Sequence, residues 1–122
     1  MKKTRVLIVD DSALVRKLLE RILTADPEIE VVGTASDAYV ARDILVQERP
    51  DVMTLDVEMP KMDGVTFLRR IMAKLPTPVV MMSVLTEQGT EVSLEALKAG
   101  AIEVLAKPDN LIQGMTHMAP QI

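Results

Sequence analysis

The chain has 122 residues, a net charge of −4, no cysteine, and one tyrosine and one phenylalanine as its only aromatic residues. This length suits one domain with a buried core, the acidic balance argues against nucleic-acid binding, and the lack of cysteine excludes disulfides and thiolate metal sites. The apolar run after the basic N-terminus, Val6 to Val9, is too short for a signal peptide or a membrane span. We therefore expect a soluble, cytoplasmic protein without nucleic-acid binding or membrane insertion.

Short apolar runs alternate with helical patterns along the chain. The predicted strands are Val6 to Val9, Ile29 to Ala35, Val52 to Leu55, Val79 to Met82 and Ile102 to Leu105. The predicted helices are Ser12 to Ala25, Asp37 to Glu48, a third from Asp63-Gly64 through Leu75, about Thr90 to Ala99 before a left-handed Gly100, and a last one through Leu111, Ile112, Met115 and Met118. This alternation predicts an α/β fold, a doubly wound five-stranded parallel sheet of flavodoxin-like order 2-1-3-4-5 with helices on both faces, as one domain over residues 1–122.

Polar residues recur where the predicted strands end. Asp10 and Asp11 follow the first strand, Asp56 the third, Ser83 the fourth and Lys107 the fifth. In the predicted order, the first and third strands are neighbours at the switch point of the sheet, where ligands bind beyond the carboxyl ends of the strands. We therefore expect these five residues along one edge of the sheet.

Three carboxylates in one cleft repel one another unless a cation or a raised pKa compensates for them. Oxygen ligands without cysteine or a nearby histidine favour a hard ion, so we predict Mg²⁺, with Mn²⁺ as the other possibility. Asp11, Asp56 and the backbone carbonyl of Glu58 are the preferred ligands, and Asp10 would orient a bound water.

A strand-end carboxylate can also act as a nucleophile and form an acyl phosphate. Phosphoryl transfer to Asp56 needs its equatorial oxygens neutralised, which a metal ion and the Lys107 ammonium would provide. The Ser83 hydroxyl could donate a hydrogen bond to the new phosphoryl group and draw the following loop inward. The pattern therefore indicates a phosphorylation switch.

Three separated motifs resemble the signatures of response-regulator receiver domains. They are Val9-Asp10-Asp11-Ser12, the stretch from Leu55 to Gly64, and Ala106-Lys107-Pro108. Within that family, further segments resemble the regulatory domain of the chemotaxis protein-glutamate methylesterase: Thr54 to Pro60, Ala41-Arg42-Asp43, Val79 to Thr86 and Gly100 to Glu103.

The resemblance implies that a histidine kinase phosphorylates Asp56, that Mg²⁺ is bound by Asp10, Asp11, Asp56 and the Glu58 carbonyl, and that the Lys107–Pro108 bond is cis. It also implies an attached methylesterase/glutamine deamidase domain that acts on chemoreceptors. This chain has one histidine and no G-x-S-x-G motif. We therefore interpret it as the regulatory fragment, with no enzymatic activity beyond its own phosphorylation and dephosphorylation.

One position departs from the family pattern. Receivers usually carry an aromatic residue or histidine where this chain has Val104, and the rotamer of that side chain follows phosphorylation. Tyr39 and Phe67 belong to other predicted elements. A relay from Ser83 to an aromatic side chain on the fifth strand is therefore not expected here.

Several other interpretations remain open from sequence alone. Asp10, Asp11 or Ser12 could simply cap the first helix, and Asp63 is expected to cap the third. A haloacid-dehalogenase-type phosphatase also uses an aspartate nucleophile with Mg²⁺, but it expects D-x-D after the first strand. A flavin carrier would need a glycine-rich phosphate loop in place of Asp10-Asp11. A stand-alone receiver, or the input domain of another response regulator, is the remaining alternative.

Overall fold

The structure, a computed structural model, describes residues 2–84 and 87–107, with the backbone alone described at 84, 87–90 and 107. Strands and helices alternate strictly through these ranges. They are β1 (Thr4–Val9), α1 (Ala13–Thr24), β2 (Ile29–Ala35), α2 (Ala38–Glu48), β3 (Val52–Asp56), α3 (Gly64–Lys74), β4 (Val79–Val84), α4 (Glu87–Ala99) and β5 (Glu103–Lys107). The predicted last helix and the predicted cis bond between Lys107 and Pro108 lie outside the described residues.

The strands form one parallel sheet in the order β2-β1-β3-β4-β5, which confirms the predicted topology. The register aligns the carboxyl ends of the central strands, because Val9 on β1 lies opposite Leu55 on β3, and Asp56 lies opposite Met82 on β4. The residues that follow these strands therefore meet at one edge of the sheet.

Each face of the sheet carries its own apolar core, because successive side chains of β1 point to opposite faces. Leu7 and Val9 point into a large cluster with side chains of α2, α3 and α4, whereas Val6 and Ile8 point into a smaller cluster with α1. A parallel sheet buried on both faces needs such continuous apolar strands. Among the helices that the structure describes, none combines the length and the apolar character needed to span a bilayer.

Local signals at the helix ends explain most of the boundaries. The Ser12 hydroxyl accepts a hydrogen bond from the Val15 N–H at 3.2 Å, so Ser12 caps α1. Asp63 caps α3 as predicted, with its Oδ1 2.9 Å from the Thr66 N–H. Gly100, after α4, has a positive φ of 118°, also as predicted.

Several boundaries differ from the sequence prediction. Strand β3 ends at Asp56 rather than Leu55, so Asp56 is its last residue and does not follow it as predicted. Helix α4 begins at Glu87 rather than near Thr90; Gly89, a poor helix former, obscured its first turn in the sequence. Strands β4 and β5 extend further, because Ser83 lies opposite Ala106 and Val84 opposite Lys107 in the parallel ladder. Ser83 is therefore the second-last residue of β4 and Lys107 the last residue of β5. Neither residue follows its strand, whereas the sequence had predicted that both would.

Candidate functional site

Three carboxylates converge where β1 and β3 end. Asp10, Asp11 and Asp56 each offer one carboxylate oxygen, and these oxygens lie within 4.8 Å of one another. Asp10 and Asp56 are buried, with 1% and 4% of their surface exposed, whereas Asp11 is open to solvent. The sheet register causes this convergence, because Asp10 directly follows Val9, whose neighbour Leu55 directly precedes Asp56.

Asp10 is held in place by the backbone around it. Its N–H donates to the Ala35 carbonyl at 3.0 Å, and its Oδ1 accepts a hydrogen bond from the Ser12 N–H at 2.9 Å. The Arg16 guanidinium donates to its carbonyl oxygen at 2.6 Å and so ties the end of β1 to α1. Since Ser12 caps the helix, Asp11 has no capping role and its carboxylate faces the cluster and solvent.

Asp56 begins a loop that folds back tightly against its own strand. Its Oδ1 accepts a hydrogen bond from the Glu58 N–H at 3.2 Å, and the Gly64 N–H donates to the Val57 carbonyl at 2.8 Å. A Cβ atom at Gly64 would lie 2.1 Å from the Asp56 carbonyl oxygen. Only glycine fits at this position, so the sequence Asp63-Gly64 fixes how closely α3 approaches the end of β3.

Asp63 and Thr66 stabilise the same approach from the side of α3. The Thr66 hydroxyl donates to Asp63 Oδ2 at 2.8 Å, in addition to the capping bond from its N–H. Partial burial would raise the pKa of Asp63, but these hydrogen bonds outweigh it and hold the pKa below its usual value. The cap is therefore charged at neutral pH.

An ion pair that the sequence analysis missed connects this loop to α2. Lys61 has a positive φ of 71°, and its Nζ lies 3.3 Å from Asp37 Oδ2. Asp37 Oδ1 caps α2 by accepting hydrogen bonds from the Tyr39 and Val40 N–H groups at 2.9 and 3.0 Å. The hydrogen bond from Val40, joined by those from Lys61 and Tyr39, holds the pKa of Asp37 below its usual value despite its burial.

An acid directly before a helical pattern could have identified Asp37 as a cap. No sequence signal pairs it with Lys61, because the two residues belong to different loops.

The two remaining predicted residues lie on the next strands of the same edge. Ser83 is buried, with 7% of its surface exposed, one residue beyond the Met82 that neighbours Asp56. The backbone of Lys107 lies opposite Val84, but its side chain is outside the described part of the structure. Val104 is half-buried against the larger core and occupies the position where an aromatic residue was expected from the family pattern.

The acid cluster suits a hard divalent cation. Magnesium binds oxygen at about 2.1 Å, so ligands on opposite sides of one ion are roughly 4.2 Å apart. Three carboxylate oxygens within 4.8 Å of one another are compatible with that spacing. The chemistry of the donors and their separation therefore fit the predicted ion.

Comparison with known proteins agrees with the observed fold. The family model described as response regulator receiver domain matches residues 6–118. A protein-glutamate methylesterase/protein-glutamine glutaminase from Syntrophotalea carbinolica is 54% identical over 122 residues, which cover 99% of this chain and 35% of that protein. The chain thus spans about a third of the length of this curated relative.

Two solved structures are similar over almost the whole chain. The response regulator domain of Thermotoga maritima CheB has a TM-score of 0.89 and 41% identity, covering 98% of this chain and 90% of that one. A chain from the CheX–CheY–BeF3–Mg²⁺ complex of Borrelia burgdorferi has a TM-score of 0.78 and 32% identity, covering 99% and 91%. This chain therefore belongs to the response regulator receiver domains, and within them to those of the CheB-type methylesterases.

Proposed function

We propose that this chain is a phosphorylation switch in which a histidine kinase transfers a phosphoryl group to Asp56. Asp10, Asp11, Asp56 and the Glu58 carbonyl would hold the Mg²⁺ ion that the transfer requires. The observation that carries this proposal is the convergence of three carboxylate oxygens within 4.8 Å at the end of β3. Asp56 is the central residue of that group, because it ends the strand that lies between β1 and β4.

In the transfer, a carboxylate oxygen of Asp56 attacks the phosphorus of a phosphohistidine. The new P–O bond gives an acyl phosphate while the P–N bond breaks, and the electron pair returns to the imidazole, which takes up a proton. Bound Mg²⁺ supplies positive charge to the transferring phosphoryl oxygens. The chain itself contributes position: the hydrogen bond from the Glu58 N–H orients the Asp56 carboxylate, and the Ser12 N–H orients Asp10.

Ser83 and Lys107 would then read the phosphorylated state. Both belong to the strand ends beside Asp56, and Ser83 sits one residue past its neighbour Met82. A phosphoryl group adds strong acceptor oxygens, so the Ser83 hydroxyl and the Lys107 ammonium would be drawn to it. The end of β4 would move with Ser83, and this movement would shift the equilibrium between conformations of the neighbouring α4 and β5.

The regulated element would be a methylesterase/glutaminase domain outside this chain that acts on chemoreceptors in the cytoplasm. The curated methylesterase/glutaminase, of which the chain covers 35%, supports the proposal of such a domain. The large apolar side chains exposed on and beside α4 support it, because Leu94, Leu97 and Ile102 are exposed by 48 to 62%.

The test is the intact mass of the 122-residue chain after incubation with Mg²⁺ and acetyl phosphate. We expect a gain of one phosphoryl group that a chelator prevents and that is absent from Asp56→Asn. Asp43→Asn is the matched control, because Asp43 is an exposed carboxylate on α2, with 78% of its side chain accessible. Incorporation that persists in Asp56→Asn, or that fails with both acetyl phosphate and the purified kinase, would overturn the proposal.

A further inference from the structure

A groove of about 330 Å³ runs between α2 and α3. Its floor consists of apolar residues that are buried in the larger core: Ala38, Leu45, Phe67 and Ile71. None of the carboxylates of the candidate site lines it. The groove is therefore a second concave feature, formed by the outer parts of two helices rather than by strand ends.

The solvent side of the groove is unusually apolar for a surface helix. Tyr39 and Val46 on α2 line it and are 46% and 58% exposed. A helix on the surface of a globular protein normally turns polar residues outward. The only two aromatic residues of the chain, Tyr39 and Phe67, both line this groove. Aromatic residues are concentrated at the energetic centres of protein interfaces.

The rim of the groove is basic. Arg42, Arg70 and Lys74 line it, and no acidic residue does, although the chain carries a net charge of −4. Among the described residues, the one ion-pair partner of Arg42 is Asp43, at 3.9 Å and largely exposed, a geometry that contributes little stability. In the described part of the chain, the ion pairs within 4.0 Å include neither Arg70 nor Lys74.

The geometry points to a binding site for an acidic amphipathic helix of a partner protein. A helix laid in a groove inserts apolar side chains at i, i+3 and i+4, and its flanking carboxylates meet the rim. A volume of 330 Å³ lies at the small end of the range for binding pockets and suits a few inserted side chains. Arg70 and Lys74 are four residues apart on α3 and so lie on one face, as pairing with a second helix requires.

The acidic overall charge disfavours nucleic acid and anionic membranes as partners of the basic rim, because both present charge well beyond it. A chain of net charge −4 is repelled by nucleic acid and by anionic membranes, whereas a short acidic helix experiences mainly the local cations. The site is independent of the proposed phosphorylation of Asp56, since it shares no residue with the acid cluster. Failure of one proposal therefore leaves the other standing.

The test uses two fluorescently labelled, helix-stapled peptides with leucine at i, i+3, i+4 and i+7. One carries glutamate and the other lysine at all remaining positions. We expect saturable binding of the glutamate peptide to the 122-residue chain by fluorescence anisotropy, and none of the lysine peptide. Arg70→Glu should weaken binding by about tenfold or more, as expected for a lost interfacial charge pair. Arg69→Glu should not, because Arg69 lies outside the groove and faces Glu95 at 3.9 Å.

Circular dichroism would establish that each variant is folded, and Lys74→Glu provides a second rim substitution. No saturable binding of the glutamate peptide would overturn the proposal, as would equal binding of both peptides or equal effects of Arg70→Glu and Arg69→Glu. Binding of decanoate without binding of the peptide would also overturn it, and would assign the groove to small amphiphilic anions.

Discussion

The acid cluster and the α2–α3 groove are built by opposite means. The cluster is polar, and the backbone defines it: strand register brings Asp10, Asp11 and Asp56 together, and backbone N–H groups orient the buried pair. The groove is apolar with a basic rim, and side chains on the outer faces of two helices define it. A site fixed by backbone register tolerates little change in the main chain, whereas a site made of exposed side chains can change without disturbing the fold.

The Lys61–Asp37 ion pair lies between the two regions. Lys61 belongs to the loop that follows Asp56, and Asp37 caps the helix that forms one wall of the groove. Substitutions in the acid cluster, in the groove and at this ion pair can therefore show whether a change in one region affects the other.

The largest effect is expected at Gly64, where the backbone of the acid cluster is most crowded. Gly64→Ala places a Cβ atom 2.1 Å from the Asp56 carbonyl oxygen and should lower the free energy of unfolding by about 3 kcal/mol or more. Gly33→Ala is the comparison, because its Cβ would meet only side-chain atoms, the nearest being Ile44 Cγ2 at 3.0 Å, and no backbone atom. Urea unfolding of both variants measures the difference. A Gly64→Ala protein as stable as the parent would show that the loop is not fixed as described.

The next effect concerns the metal. Asp11→Asn removes a carboxylate from the cluster without touching the buried pair, and should weaken Mg²⁺ binding by about 100-fold, since changes to residues behind the ligands already cost 10- to 100-fold. Isothermal titration calorimetry measures this, with the exposed Glu20→Gln on α1 as control. Equal affinities in Asp11→Asn and the parent would remove Asp11 from the proposed ligands.

A smaller effect is expected at the junction of the two regions. Asparagine is also a good helix cap, so Asp37→Asn removes mainly the charge that faces Lys61. Because the pKa of Asp37 is lowered on folding, its charge stabilises the protein above the unfolded-state value of about 4, and this contribution is lost as pH falls through the lower folded-state pKa.

Chemical unfolding across pH 2 to 7 should therefore give the parent a larger free energy of unfolding than Asp37→Asn at neutral pH. The two free energies should converge in acid. Parallel curves at all pH values would contradict the assignment of the lowered pKa to Asp37.

The smallest effect is expected at Thr54, a polar residue on β3 that we do not assign to the phosphorylation site. The Thr54 hydroxyl is buried and has no hydrogen-bond partner among the described residues. Thr54→Val should raise the free energy of unfolding by up to about 1 kcal/mol and leave phosphorylation unchanged. Thr77→Val should instead destabilise, because the Thr77 hydroxyl donates to the Leu75 carbonyl at 3.0 Å. A loss of phosphorylation in Thr54→Val would place Thr54 in the site.

These two regions also differ in how far the sequence could predict them. The strand order and the convergence of Asp10, Asp11 and Asp56 were predictable, because buried parallel strands read as apolar runs and their carboxyl ends must share an edge. The full extent of β4 and β5 was not, since Ser83 and Lys107 are polar and do not continue the apolar runs by which the strands were predicted. The Lys61–Asp37 pair was missed because it depends on how the β3–α3 loop packs against α2, and the groove because it depends on how α2 packs against α3.

The most direct test of the central claim is to locate the phosphoryl group on the chain. Phosphorylation with Mg²⁺ and the purified kinase, followed by borohydride reduction and peptide mass mapping, converts an aspartyl phosphate into a stable homoserine at its position. We predict homoserine at position 56 and at no other aspartate, with none formed when Mg²⁺ is chelated. Homoserine at Asp10 or Asp11, or phosphate retained on Ser83, would contradict the proposal that Asp56 is the acceptor.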